Sequence, residues 1–147
     1  MGYTGLNVPK INAEQFKKLY RALNHAINEE LVASAHGIYR GGLGVHLAMV
    51  AMGGNLGMHI DLTGVPVENV NRNSVILFSE SAGRFIITID PENRESFESI
   101  LKEHIFACIG TVTEKQDFVL NGLDDKNIIN VPVKDLKTAW KKPFGDL

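Results

Sequence analysis

SAHGIYRGGLGVHLAMVAMGGNLGMHIDL, residues 34–62, compresses an extended run, a glycine turn, a helix, a stop and a second extended run into one short stretch. The residues from Val32 to Ile38 read as a short strand that leads into Gly41, Gly42 and Gly44. From Gly42 to Met52 the side chains are apolar nearly all round, which predicts a helix packed on several sides, beneath a sheet. Gly53 and Gly54 are expected to end it, because glycine readily supplies a left-handed C-terminal cap. Beyond them Leu56, Met58, Ile60 and Leu62 alternate with Gly57, His59 and Asp61, the period of two that marks a strand. The methionines read as core rather than as a sulfur ligand set.

Upstream of this stretch, residues 1–11 carry glycines and a proline and read as a linker or the end of a preceding region; residues 12–147 read as the domain. Asn12 is placed to cap a helix, with Gln15 at the position of a capping box. Phe16, Leu19, Tyr20, Leu23 and Ile27 recur at helical spacing to about Leu31, and His25 falls on the solvated face. Downstream, Val75–Phe78 (VILF) and Arg84–Ile89 (RFIITI) are expected to be strands. Asp90-Pro91 is a helix start, since a capping side chain precedes the one residue that needs no amide hydrogen. Phe97, Ile100 and Leu101 give that helix a buried face. ACIGTV, DFVLNGL and NIINVPV read as three further strands, with turns near 114–116 and 124–126. A closing amphipathic helix holds Leu136, Ala139 and Trp140, and Pro143 ends it. Hairpin-length links mix with helical crossovers, so the order predicts a mixed α/β fold with a mixed sheet covered by helices, rather than a purely parallel doubly wound fold.

The chain's 147 residues suffice for one domain with a sizeable core. Hydrophobic residues make up 44% and charged residues 22%, ordinary for a soluble globular protein. A formal charge of −2 supplies no basic surplus for a phosphate backbone, which argues against nucleic-acid binding. Apolar runs are far shorter than the ~20 residues that span a bilayer, and the N-terminus lacks the pattern of a signal peptide. A cytoplasmic location follows by default. The single cysteine, Cys108, lies in the apolar run Ile105–Ile109 and is expected to be a buried, inert thiol.

Two segments hold candidate chemistry. In Tyr39-Arg40-Gly41-Gly42-Leu43-Gly44, glycines before a helix let backbone amides approach a ligand, and the helix start offers unpaired donors with partial positive charge. That combination suits a phosphate-sized anion. The alternative is a tight strand-to-helix turn that needs glycine only for packing. The spacing matches neither the P-loop nor the dinucleotide fingerprint. The second segment, Ser79-Glu80-Ser81-Ala82-Gly83-Arg84, gathers a carboxylate, two hydroxyls and a guanidinium. It could take a polar ligand, or it could be a connection bearing a surface ion pair. His36 has no catalytic partner visible in the sequence, and no nucleophilic triad or metal-ligand spacing is present.

Taken with LFSESAGRFIITIDPENRESFESIL, IGTVTEKQDFVL and the last helix, the opening stretch resembles the C-terminal domain of the phosphoribosylformylglycinamidine synthase family, over nearly all of the chain from about Val8. The resemblance implies the aminoimidazole ribonucleotide (AIR) synthetase C-terminal fold, a three-layer α/β sandwich with a mixed sheet flanked by helices. It also implies a larger parent, an ATP-dependent C–N ligase of purine biosynthesis, which converts formylglycinamide ribonucleotide and glutamine-derived ammonia to the amidine. The parent would use ATP and Mg²⁺. Its partners for this domain would be the N-terminal synthetase domains and a glutaminase domain or subunit. The resemblance assigns this chain no catalytic residue and no metal of its own.

Carried over residue by residue, the family pattern His-Asp-x-Ser-acidic-Gly-Gly-Leu survives here as His36, Gly41, Gly42 and Leu43. The family's metal-binding Asp and nucleotide-contacting Ser fall at Gly37 and Tyr39, and its acidic residue falls at Arg40. Glycine has no oxygen ligand for a hard cation. The resemblance therefore leaves a phosphate or nucleotide site at His36, Tyr39, Arg40, Gly41 and Gly42 without metal. Ser79, Glu80, Ser81 and Arg84 match the second family segment, in which Gly83 replaces a serine. Two other readings stand beside this one: a structural or interaction domain with a degenerate nucleotide half-site, or the corresponding domain of another superfamily member, such as a hydrogenase-maturation or selenophosphate enzyme.

Overall fold

A computed structural model describes residues 10–145. Most of the segment read as a linker, residues 1–9, lies outside them. The chain forms a mixed α/β structure divided into two compact units, residues 10–40 with Glu80–His104 and Gly41–Ser79 with residues 105–145.

In the first unit, helix α1 spans Ala13–Asn28, and Asn12 begins it as expected: its side-chain oxygen accepts from the amides of Glu14 and Gln15, each at 3.1 Å. Strand β1 (Ser34–Gly37) runs antiparallel to β3 (Phe85–Thr88). Asp90 accepts from the Glu92 amide and opens a 3₁₀ turn that becomes α4 (Arg94–Leu101). The core holds Leu23 and Ala26 of α1 against Phe97 and Leu101 of α4, with Phe85, Ile87 and Ile89 packed alongside. The buried stripe of α1 is therefore Leu19, Ala22, Leu23 and Ala26. Tyr20 and Ile27, expected on that face, are exposed, because each lies at the margin of the apolar arc rather than at its centre.

In the second unit, helix α2 (Gly42–Gly54) is followed by β2 (Gly57–Asp61), a short helix α3 (Asn73–Phe78), β4 (Gly110–Thr113), β5 (Asp117–Asn121), β6 (Asn127–Pro132) and α5 (Val133–Lys141). The strand order is β4-β2-β5-β6, with β2 parallel to β5 and the other pairs antiparallel. Met58, Ile60, Phe118 and Leu120 share one buried face, while His59 projects from the other. Helix α2 exposes no residue from Gly42 to Met52, as its nearly continuous apolar surface required, and it packs on α3 and α5.

Four expectations change here. VILF is not a strand; Val75–Phe78 belongs to α3, with Ile76 and Leu77 buried. Four consecutive apolar residues fit either element, and only the pattern around them separates the two. The left-handed residue after α2 is Asn55 at φ 53°, which leaves Gly53 and Gly54 inside the helix. In α5, Val133 is buried, Leu136 is half-buried, and Ala139 and Trp140 are exposed. Cys108 is exposed, and so is most of its apolar run, with Ile105 88% accessible, because these residues lead into the edge strand β4 instead of entering the core.

The link 114–116 joins β4 to β5, yet both strands pair with β2 rather than with each other. The link therefore arches over the start of β2 at Gly57. A Cβ there would lie 2.6 Å from the Thr113 hydroxyl oxygen and 2.7 Å from the Asp117 carbonyl oxygen, and nearer still to the Lys115 carbonyl. Asn55 anchors the arch: its carbonyl accepts from Gln116 and its side-chain oxygen from Lys137.

Candidate functional site

Both candidate segments are divided between the two units by the chain itself. His36, Tyr39 and Arg40 belong to the first unit, Gly41 and Gly42 to the second; Ser79 belongs to the second, and Glu80, Ser81 and Arg84 to the first.

On the strand side, β1 is pinned to β3 along its length. Ser34 pairs with Thr88 through hydroxyls 2.6 Å apart, and His36 lies opposite Ile86. The pairing continues one residue further, where the Ile38 amide donates to the Arg84 carbonyl at 2.9 Å. The two candidate segments, separate in sequence, are thus neighbours across this ladder. The Arg84 side chain turns back to donate from Nε to the Ser81 carbonyl at 3.1 Å, and burial lowers its pKa. Gly83 sits at φ 79°, and a Cβ on it would meet Ile11 at 2.8 Å and Phe16 at 3.3 Å. The positive φ disfavours a serine here, while the contact with Ile11 is to the far end of an exposed side chain. Tyr39 and Arg40 are exposed.

On the helix side, Gly41 and Gly42 adopt φ of 90° and 70°, in the left-handed region that disfavours any side chain. Gly41 is the N-cap of α2 and supplies no side-chain bond to it. A Cβ on Gly42 would fall 2.6 Å from the Leu77 carbonyl oxygen and 2.8 Å from the backbone of Phe78. Gly44 packs at 3.2 Å, by the same measure, on the Leu77 side chain. In this unit too, the glycine turn rests on the residues just before Ser79. The sequence offered no signal for Leu77 and Phe78 as that seat, because the contact is through space and mostly to backbone.

Close packing on α3 thus accounts for Gly42 and Gly44, whose added Cβ atoms would meet Leu77 or Phe78. A divalent cation does not fit the donor set of this turn: its polar side chains are an imidazole, a phenol and a guanidinium, with no carboxylate. Among the described residues no cluster of three or more His, Cys, Asp or Glu is placed to hold a metal ion. Two open grooves lie elsewhere. One of about 680 Å³ is lined by residues that include His25, Glu29 and Glu95, and one of about 510 Å³ by residues that include Arg72, Asn73 and Asp124. Neither includes a candidate residue, and the carboxylates of the first would repel an anion.

The chain belongs to the family described as AIR synthase related protein, C-terminal domain, which it matches over residues 3–122. Within that class it is similar to phosphoribosylformylglycinamidine synthase subunit PurL: it is 35% identical over 140 residues to the subunit of Methanococcus aeolicus, covering 95% of this chain and 18% of the relative. The chain thus spans about a fifth of the length of such relatives. The structure of T. maritima PurL complexed with FGAR superposes with a TM-score of 0.79 at 26% identity, over 91% of this chain and 23% of that one. The same protein complexed with ATP gives 0.73 at 27% identity, over 82% and 21%. The resemblance read from the sequence is therefore correct for family and fold.

Proposed function

We propose that this chain serves as the AIR-synthase-related C-terminal domain of an ATP-dependent phosphoribosylformylglycinamidine synthase in purine biosynthesis, acting in the cytoplasm together with N-terminal synthetase domains and a glutaminase domain or subunit. The supporting observation is the ordered match to PurL along 95% of the chain. In this reading residues 12–147 form the domain, ATP and Mg²⁺ act in the parent enzyme, and the chain alone does not form the amidine. The turn is a phosphate seat without metal. Its candidate contacts are the amides at the start of α2, beside Gly41 and Gly42, in one unit, and His36, Tyr39 and Arg40 in the other. Ser79, Glu80, Ser81 and Arg84 order the neighbouring connection.

Isothermal titration of the chain with ADP, with and without Mg²⁺, tests the seat. The expected result is weak binding that magnesium does not strengthen and that Arg40→Ala abolishes. Amidine formation from ammonia, ATP and the ribonucleotide by the isolated chain would overturn its dependence on other domains. A second reading, a supporting domain whose half-site no longer binds nucleotide, draws on the occupation of position 37 by Tyr39; no ADP binding in any folded preparation would favour it.

A further inference from the structure

Gly37 poses a different question from Gly41 and Gly42. Those two sit at positive φ, but Gly37 is paired with Phe85 in extended β1, where the backbone accepts any residue. What meets position 37 is Tyr39. A Cβ on Gly37 would lie 2.6 Å from Cζ and 2.8 Å from Cε2 of the Tyr39 ring, and closer still to its hydroxyl oxygen. Residues two apart on an extended chain project from the same side, so the ring can fold back along the strand onto residue 37. The ring is nonetheless 69% exposed; it rests on the glycine without being enclosed by the core.

We propose that Tyr39 is a latch that takes the side-chain space of position 37. The segment then holds either a side chain at 37 or the aromatic ring in its present place, but not both. The two departures at Gly37 and Tyr39 form one coupled feature. The latch's consequence for metal rests on the phosphate-seat reading above: that seat lacks a carboxylate because residue 37 is glycine, and the Tyr39 ring fills the space that a carboxylate introduced at position 37 would need. A single Gly37→Asp replacement must push the ring aside before its carboxylate can face a cation, whereas Gly37→Asp with Tyr39→Ser has open space.

NMR and titration on the 147-residue chain and its variants test this. The Gly37 α-protons should show a ring-current shift and contacts to the Tyr39 ring, both lost in Tyr39→Ser; in Gly37→Ala, the single α-proton of residue 37 should lack them because the ring is displaced. ADP binding should change less than about twofold with Mg²⁺ in the unaltered chain and in Gly37→Asp, and gain about tenfold or more from Mg²⁺ only in the double variant. Absence of ring contacts at Gly37, or equal magnesium dependence in the single and double variants, would overturn the latch. If the ring contacts and their loss are seen but no folded variant binds ADP, the phosphate-seat reading fails while the steric latch stands.

Discussion

The two sides of the turn from His36 to Gly44 use glycine for opposite reasons. On the helix side, Gly41 and Gly42 are demanded by the main chain: both have positive φ, and Gly42 lies against the backbone of Leu77 and Phe78. On the strand side, Gly37 is demanded only by its neighbour's side chain. Main-chain demands cannot be relieved by changing a partner, because every residue has a backbone. A side-chain demand disappears with the side chain. The helix side is thus held to its pattern by the fold, and the strand side is free to drift if its two positions drift together.

The sharpest way to break this contrast is Gly42→Ala. The added methyl meets a carbonyl oxygen that cannot move without disturbing the end of α3, and the residue is left at φ 70°. A loss of about 2–4 kcal/mol in urea unfolding is expected, from overpacking plus left-handed strain. A loss below 1 kcal/mol would show that α3 yields and that the helix side is not fixed after all. Gly41→Ala should cost about 1–2 kcal/mol. Its methyl meets only the Val45 side chain, at 2.8 Å from Cγ2, so Gly41→Ala with Val45→Ala should remove the steric part and keep the strain. The start of α1 supplies a reference: Asn12 caps by side chain where Gly41 does not, and Asn12→Ala should cost about 1 kcal/mol through the lost bonds to Glu14 and Gln15.

The same distinction separates what could be read in the sequence from what could not. Elements specified locally were legible: the Asn12 cap, the alternation through Met58 and Ile60, and the Asp90-Pro91 start all follow from neighbours in the chain. Placement through space was not. Nothing in VILF says that it packs as a helical turn under Gly42 and Gly44, and nothing in ACIGTV says that the run leads into a sheet edge and leaves Cys108 in solvent. The arch over Gly57 depends on β2 lying between β4 and β5, a non-local pairing that no window of residues encodes. Of the candidate site, the glycine turn and its family were visible, while its contacts with Leu77, Phe78 and the Arg84 carbonyl were not. The Gly37–Tyr39 contact was within reach, since residues two apart on a strand share a face, and a residue-by-residue match to the family pattern does not show that the two positions are coupled.

The smallest expected effect is also the most discriminating. Gly37→Ala places a methyl against the far end of an exposed ring, which can swing away, so its cost should stay within about 0.5 kcal/mol. In a Tyr39→Ala background the same substitution has nothing to displace, and it should be neutral or slightly stabilising, because alanine restricts the unfolded chain more than glycine does. The sign of the change therefore depends on residue 39, whereas the cost of Gly42→Ala should be the same in both backgrounds. A double-mutant cycle by thermal and urea unfolding reads both quantities. If Gly42→Ala were rescued by the change at Tyr39, or Gly37→Ala were as costly without the ring as with it, the two sides of the turn would obey one constraint instead of two.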